Sequence, residues 1–145
     1  LSIRRQRQMC IRDRNEIEIN KNGIKHPLYK NKDKKFNSPA FNFDEVVKIP
    51  DKGICLASNK INKVQGLYFE VNKTKIWGLQ YHPEITYEKM INLIEFRKER
   101  LIESRKVFKD DTEVQKHIAF IKKEISVSDK EKRMLELKNW LNELN

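Results

Sequence analysis

A histidine and a glutamate two residues apart, His82 and Glu84, are the side chains in this sequence best suited to chemistry. They close the run Trp-Gly-Leu-Gln-Tyr-His-Pro-Glu at residues 77–84. Positions i and i+2 of an extended chain project to the same face, and Pro83 restricts the backbone between them. A carboxylate on one ring nitrogen would fix the tautomer and leave the other nitrogen free as a base. The pattern therefore predicts a Glu84 oxygen within about 3.5 Å of a His82 ring nitrogen, or one water away, as in the base-and-orienter half of a nucleophile triad.

The same spacing also has an ordinary structural explanation. His82 could simply end a strand, and Glu84 could begin the helix that follows. A bare His-x-Glu pattern is short and does not separate the two interpretations. The choice between them depends on the longer run and on the elements that would position the pair.

Strand patterns precede His82. Residues 16–20 alternate polar and apolar, and the apolar run 54–58 has the length of a buried strand. Residues 64–71 and 76–81 flank a polar stretch and predict an antiparallel hairpin. Asn-Gly at 22–23 predicts a turn. The hairpin would bring His82 to the end of a strand.

Three helical patterns follow Glu84. Thr86 is predicted to cap the first. Asp-Asp-Thr at 110–112 is expected to open the second, with a capping box from Thr112 to Gln115, and Ser128 to cap the third in a capping box with Glu131. The third helix carries apolar residues along one side, namely Met134, Leu137, Trp140, Leu141 and Leu144. Sheet elements followed by helices, without a complete βαβ unit, indicate part of an α/β domain with a helical tail.

The full run at 77–84 resembles the Trp-Gly-x-Gln-Phe/Tyr-His-Pro-Glu signature of the class I glutamine amidotransferases. Asp-Glu-Val at 44–46 with Ile-Pro at 49–50, and Leu-Ala-Ser at 56–58, resemble further segments of that family. Residues 134–141 are similar to the C-terminal helix of its stand-alone members, which resemble the glutaminase part of GMP synthase. The resemblance covers nearly the whole chain from residue 15 onward.

This resemblance implies a flavodoxin-like α/β domain that hydrolyses L-glutamine to glutamate and ammonia with a Cys-His-Glu triad. It gives His82 the role of general base and Glu84 that of the orienting carboxylate. It also implies a synthetase domain or subunit that accepts the ammonia, and neither a metal nor a cofactor. Residues 15–105 are expected to be the C-terminal half of the amidotransferase domain, and 106–145 a helical C-terminal extension.

The nucleophile of the triad does not stand where the family pattern requires it. The family places it in a Gly-x-Cys-x-Gly elbow well before the His, and Cys55 has similar neighbours in Gly-Ile-Cys-Leu-Ala. An elbow needs a strand before the Cys and a helix after it, whereas a Pro-Asp-Lys-Gly turn precedes Cys55 and no helical pattern follows. We therefore interpret Cys55 as a structural thiol and expect the catalytic Cys in a missing N-terminal half. Asn42 and Phe43 stand where many relatives carry a His beside the glutamine pocket.

Residues 1–14 differ from the rest of the chain. They contain five Arg and one Asp, with no clear apolar stripe, cap or turn signal. Residues 9–14 resemble a translated transposon end of the kind used in DNA-library preparation, and Cys10 lies among them. The segment is predicted to be non-native and to make few apolar contacts. The alternative is a basic arm that binds phosphate.

Composition bears on the remaining classes of function. The net charge is +10, but beyond residue 14 Lys and Glu are interspersed, which is typical of solvated helix faces. We therefore expect no nucleic-acid partner. No apolar run approaches the roughly 18 residues of a spanning helix, so no membrane partner is expected. Two cysteines in unlike contexts give no disulfide framework, which favours a cytoplasmic location.

Three hypotheses for function remain at this point. The first is part of an amidotransferase that cannot hydrolyse glutamine alone. The second is an amidotransferase-like interaction module that has lost its nucleophile. The third, supported by charge alone, is a small basic nucleic-acid-binding protein. A Gly-x-Cys-x-Gly elbow upstream in a longer reading frame would favour the first over the second.

Overall fold

The computed structural model describes the backbone of residues 4–6, and residues 16–41 and 44–144 with their side chains. Five strands form one antiparallel sheet: β2 (Ile17–Ile19), β3 (Lys35–Phe36), β5 (Ile54–Ser58), β6 (Gly66–Val71) and β7 (Thr74–Leu79). Their order is β3-β2-β5-β6-β7. A separate antiparallel pair joins β1 (Arg4–Gln6) to β4 (Asp44–Val46). Together with the helices below, these strands confirm a mixed α/β fold.

The helices follow the sheet along the chain. They are α2 (Tyr87–Phe96), a π-helical turn (Arg100–Ser104), α3 (Asp111–Ile125), α4 (Lys130–Arg133) and α5 (Leu135–Asn142). Two short helical turns lie earlier, α1 (Lys21–Ile24) and a 3₁₀ turn (Pro27–Tyr29). The turn predicted at residues 22–23 is therefore wrong. The Asn20 side chain accepts hydrogen bonds from two backbone N–H groups of α1, which starts one helical turn there instead.

The predicted hairpin is confirmed as β6 and β7. The strands are in register from Gly66 opposite Leu79 to Val71 opposite Thr74. Asn72 and Lys73 form the two-residue turn, and both have positive φ, 48° and 68°. Such turns match the right-handed twist of the flanking strands, so the loop fixes the register that delivers β7 to His82.

One of the three predicted helix caps is confirmed. The Thr86 hydroxyl accepts from the Lys89 N–H at 3.2 Å. The second helix does begin within the predicted residues 110–112, but the capping box at Thr112 and the cap at Ser128 are wrong. Aspartates provide both caps: Asp110 accepts from the Glu113 N–H at 2.9 Å, and Asp129 from the Glu131 N–H at 2.8 Å. A carboxylate at a helix N-terminus also interacts favourably with the helix dipole, which favours Asp over a neighbouring hydroxyl.

Two apolar clusters make the core of the described residues. One lies against the sheet, where it includes Ile17, Ile19, Leu56 and Tyr81. The other joins α2 to α3 and contains Tyr87, Met90, Ile94, Leu101, Val107, Phe108, Val114, Ile118 and Ile121. This second cluster continues across residue 105, the predicted boundary between the half-domain and the helical extension. Helices α2 and α3 therefore share one core.

The C-terminal helix α5 is buried through its polar side. Glu136 and Asn139 are its buried residues, whereas Trp140, Leu141 and Leu144 are exposed. Of the apolar side that the sequence marked out, only Met134 and Leu137 are half-buried. Buried polar groups require hydrogen-bond partners, and Asn139 has them in the backbone carbonyls of Leu28 and Lys30, both at 2.9 Å.

Of residues 1–14, which were predicted to be non-native, the structure describes only the backbone of residues 4–6. The backbone of residues 4–6 pairs with β4, with Arg4 opposite Val46 and Gln6 opposite Asp44. Met9 and Ile11, whose burial would have contradicted a non-native origin, lie outside the described residues. The origin of the segment stays a prediction.

Gly66 offers a test of how closely the sheet approaches the buried tyrosine beside it. A Cβ at Gly66 would lie 2.2 Å from the Tyr29 hydroxyl oxygen and 3.2 Å from its ring carbon Cζ. We expect Gly66→Ala to lower the free energy of unfolding by about 1–3 kcal/mol through overpacking. The matched control is Gly78→Ala on β7, where the nearest heavy atom would be 3.8 Å away. Urea unfolding of both variants measures the difference, and equal midpoints would contradict the expectation.

Candidate active site

The His82–Glu84 segment forms a tight turn directly after the hairpin. Strand β7 ends at Leu79, and the Gln80 N–H donates to the Gln65 carbonyl at 2.9 Å. The His82 N–H donates to the Pro39 carbonyl at 2.8 Å, and the Ile85 N–H closes the turn on the His82 carbonyl at 3.2 Å. The backbone on both sides of the pair is thus held by long-range and local hydrogen bonds.

The two predicted side chains meet. Nδ1 of His82 lies 2.7 Å from Oε1 of Glu84, which confirms the predicted contact within about 3.5 Å. The route to this contact differs from the expectation, since the pair meets across a turn and not along an extended strand. With Glu84 accepting, the neutral imidazole carries its proton on Nδ1, and Nε2 keeps a free lone pair.

Nε2 of His82 is open to a reacting group. No hydrogen bond joins it to any residue of the described ranges. The His82 side chain is 39% exposed, and the Phe41 ring lies beside it at a centroid distance of 6.5 Å. An imidazole that is oriented through one nitrogen and accessible at the other can take a proton from a nucleophile placed against it.

A buried polar cluster lies directly behind the pair. The Tyr81 hydroxyl donates to Oε1 of Glu136 at 2.6 Å and lies 3.2 Å from the Tyr29 hydroxyl. Nζ of Lys32 donates to Oε2 of Glu136 at 2.9 Å, and this ion pair is almost fully buried. This cluster was not predicted from the sequence. The only signal was the Tyr before His82, because Glu136 lies on a helix whose apolar residues pointed to the opposite side.

The buried cluster shows perturbed pKa values. Burial raises the pKa of both Tyr29 and Tyr81 well above the ordinary tyrosine range. Burial lowers the pKa of Lys32, and the Glu136 carboxylate opposes that shift. Both tyrosines therefore stay protonated near neutral pH and keep their hydroxyl donors.

Cys55 does not join the pair. It lies inside β5, opposite Leu67 of β6, and its Sγ is 3.4 Å from the carbonyl oxygens of both Ala57 and Lys63. Strand β6 lies between β5 and β7, so about 10 Å separates the Cys55 backbone from β7. Burial raises the pKa of the thiol, which disfavours the thiolate needed for attack. These observations support its interpretation as a structural thiol.

Neither a metal site nor a membrane-spanning helix is found in the described part of the chain. Within it, no cluster of three or more His, Cys, Asp or Glu side chains is arranged to hold a metal ion. None of its helices is long and apolar enough to cross a membrane. Asn42 and Phe43, which replace the family's His, lie outside the described residues.

Two curated proteins are similar in sequence to this chain. It is 30% identical over 70 residues to a gamma-glutamyl-L-1-hydroxyisopropylamide hydrolase from a Pseudomonas species, covering 48% of this chain and 23% of that protein. It is 38% identical over 68 residues to a glutamine-hydrolysing GMP synthase subunit from Methanocaldococcus jannaschii, covering 46% of this chain and 35% of that protein. The alignments thus span about a quarter to a third of these relatives. No family model matches the chain.

Solved structures show the same fold. The crystal structure of SMU.1228c superposes with a TM-score of 0.62 at 17% identity, over 97% of this chain and 55% of that one. A glutamine amidotransferase from Thermotoga maritima superposes with a TM-score of 0.60 at 16% identity, over 97% of this chain and 54% of that one. The chain therefore spans about half of each solved neighbour.

Proposed function

We propose that this chain is part of a class I glutamine amidotransferase and that it supplies the His and Glu of a Cys-His-Glu triad, which hydrolyses the γ-amide of L-glutamine. The contact between Nδ1 of His82 and Oε1 of Glu84 at 2.7 Å carries the proposal. The signature run at residues 77–84 and the open Nε2 support it. Both curated relatives have names that describe cleavage of glutamine or of another γ-glutamyl amide.

We place the nucleophilic Cys outside these 145 residues, in an N-terminal half of the domain. The position of Cys55 inside an antiparallel strand, and its raised pKa, support that placement. The superpositions cover about half of each solved neighbour, as expected for part of a larger domain.

The proposed chemistry proceeds in two stages. Nε2 of His82 takes the proton of the Cys thiol, and the thiolate attacks the γ-amide carbonyl carbon of glutamine. The imidazolium then gives its proton to the nitrogen, which leaves as ammonia and a thioester remains. In the second stage His82 deprotonates a water that attacks the thioester and releases glutamate and the thiol. Glu84 stabilises the imidazolium in both stages without becoming protonated itself.

The ammonia released in the first stage needs an acceptor. We propose that a synthetase domain or subunit consumes it, as the name of the M. jannaschii relative implies for that protein. A reducing cytoplasm fits a parent enzyme that depends on a free thiol.

A glutaminase assay on two proteins tests the proposal. The first is this chain alone, and the second is a chimera in which residues 15–145 follow a homologous N-terminal half with a Gly-x-Cys-x-Gly elbow. We expect no activity above background from the chain alone, because no suitably placed thiol is present, and measurable glutamate release from the chimera. Cys55→Ser should leave the chimera's kcat within about twofold, as expected for a change away from the reacting groups.

The contrary outcomes are equally specific. Glutamine hydrolysis by the chain alone that Cys55→Ser abolishes would show that Cys55 is the nucleophile. A folded chimera without activity would favour an interaction module that has lost its catalytic function.

A further inference from the structure

One arginine from the C-terminal helices reaches the backbone of the His82–Glu84 turn. Nη1 of Arg133, at the end of α4, donates to the carbonyl oxygens of Pro83 and Ile85, the latter at 3.1 Å. These two carbonyls flank Glu84, and the Ile85 N–H closes the turn on His82. One guanidinium nitrogen therefore binds the backbone carbonyls of the residues immediately before and after Glu84.

A second contact from the same helices holds the other end of the turn. Glu136, one helical turn after Arg133 at the start of α5, accepts the hydroxyl proton of Tyr81, the residue before His82. Glu136 itself is fixed by Lys32. Residues that follow the turn by about 50 positions thus contact it at both ends, Glu136 through the Tyr81 side chain and Arg133 through the Ile85 carbonyl.

The exposed position of the pair makes this support necessary. The His82 and Glu84 side chains are 39% and 52% exposed. Exposed ion pairs and hydrogen bonds contribute little when both side chains are free to move, because water competes and ordering costs entropy. A contact that must persist at such a site requires a backbone that presents both side chains in one geometry.

We propose that Arg133 is a positioning residue for the general base. By fixing the carbonyls on either side of Glu84, it holds the carboxylate against Nδ1 of His82 and thereby keeps the imidazole in the tautomer with Nε2 free. Arg133 acts through the backbone of the turn, whose two carbonyls it contacts. The inference rests on the proposed function of His82, but its geometric content can be tested without turnover.

The test is the imidazole ¹⁵N spectrum of His82 in this chain, recorded about two pH units above the ordinary histidine pKa of about 6.5. In the unaltered chain we expect the Nδ1–H tautomer to dominate. Arg133→Met removes the donors and keeps much of the apolar stem, so the ratio of Nδ1–H to Nε2–H tautomer should fall roughly fivefold, the effect of losing about 1 kcal/mol. Arg133→Lys, which keeps a charged donor, should restore most of the ratio.

Lys132→Met is the matched control. Lys132 is the preceding residue on α4, and its Nζ pairs with Asp33 at 2.8 Å on an exposed surface. This variant should leave the His82 tautomer ratio unchanged. A ratio equal to that of the unaltered chain in folded Arg133→Met would overturn the proposal, and so would an equal loss in Lys132→Met.

A measurement on the unaltered chain covers the case in which Arg133→Met does not fold. If the guanidinium is held by the two carbonyls, its Nη protons must exchange slowly and show nuclear Overhauser contacts to Pro83 and Ile85. Averaged Nη signals without these contacts would refute the positioning role. Both measurements report geometry and not ammonia release. A chimera without glutaminase activity would therefore contradict the proposed function but not the positioning role of Arg133.

Discussion

His82→Ala in the chimera should lower kcat for glutamine hydrolysis by about four orders of magnitude, with KM changed far less. The base acts in both stages, on the thiol and on the water, and triad members act as a unit, so removing one costs nearly as much as removing all. The open Nε2 and the Nδ1 contact to Glu84 at 2.7 Å are the features that would be lost. A coupled enzyme assay of the rate of glutamate release at saturating glutamine gives kcat directly.

Two further variants define what the loss means. Glu84→Ala should lower kcat less than His82→Ala, because an orienting group contributes less than the base itself. The histidine control is His117→Ala: this residue lies on α3 between the Phe108 and Phe120 rings, and its loss should leave kcat unchanged. Equal activity of His82→Ala and the unaltered chimera would remove the catalytic assignment altogether.

The sequence predicted the contact of the pair for a reason that is largely local. Pro83 limits the backbone between His82 and Glu84, and the spacing of two keeps the side chains near each other both in a strand and in a turn. The conformation itself was not predictable, since the turn depends on the Ile85 N–H and on the His82 N–H bonded to Pro39, 43 residues away. Local restriction determined the contact, and distant hydrogen bonds determined the shape.

Hairpin and helix periodicity were predictable, but the capping residues of the second and third helices were not. Adjacent polar residues at 110–112 and 128–129 can all accept a backbone N–H, and their capping energies differ by only a few tenths of a kcal/mol. Which residue caps depends on where tertiary contacts let the first helical turn begin. Asp110 and Asp129 accept the N–H groups of the first helical turns, as Thr112 and Ser128 were expected to do.

The orientation of α5 shows the limit of periodicity more clearly. Apolar spacing identified a side with Trp140 and Leu141, but amphipathic patterns indicate burial only when the polar side lacks partners inside the protein. Glu136 has such partners, Lys32 and Tyr81, which lie 104 and 55 residues away in the chain. No local window of sequence contains both ends of these bonds, so the buried cluster behind the site could only be found from the fold.

That buried cluster leads to the second large effect, which is on stability. Glu136→Leu should lower the free energy of unfolding by about 3–5 kcal/mol, because it leaves the buried Lys32 ammonium without its counter-charge and the Tyr81 hydroxyl without its acceptor. Urea unfolding at neutral pH measures the change. Adding Lys32→Met should recover part of the loss, since removing both charges leaves no unpaired ion in the core.

The pH dependence distinguishes the lost charge pair from a simple packing defect. Burial lowers the pKa of Lys32, and Glu136 opposes that shift, so Glu136→Leu should lower this pKa further. At pH values between the pKa of Lys32 in the folded protein and its higher pKa in the unfolded chain, the unfolded state binds more protons. The free energy of unfolding therefore rises with pH in this range. The difference in free energy of unfolding between Glu136→Leu and the unaltered chain should thus become smaller from pH about 7 to about 9.5. This range lies below the ordinary tyrosine pKa of about 10. If Glu136→Leu destabilises the protein through poor packing alone, the loss should not change with pH, and adding Lys32→Met should not recover any of it. A loss that is independent of pH and equal in Glu136→Leu and in the double variant would contradict the charge-pair account.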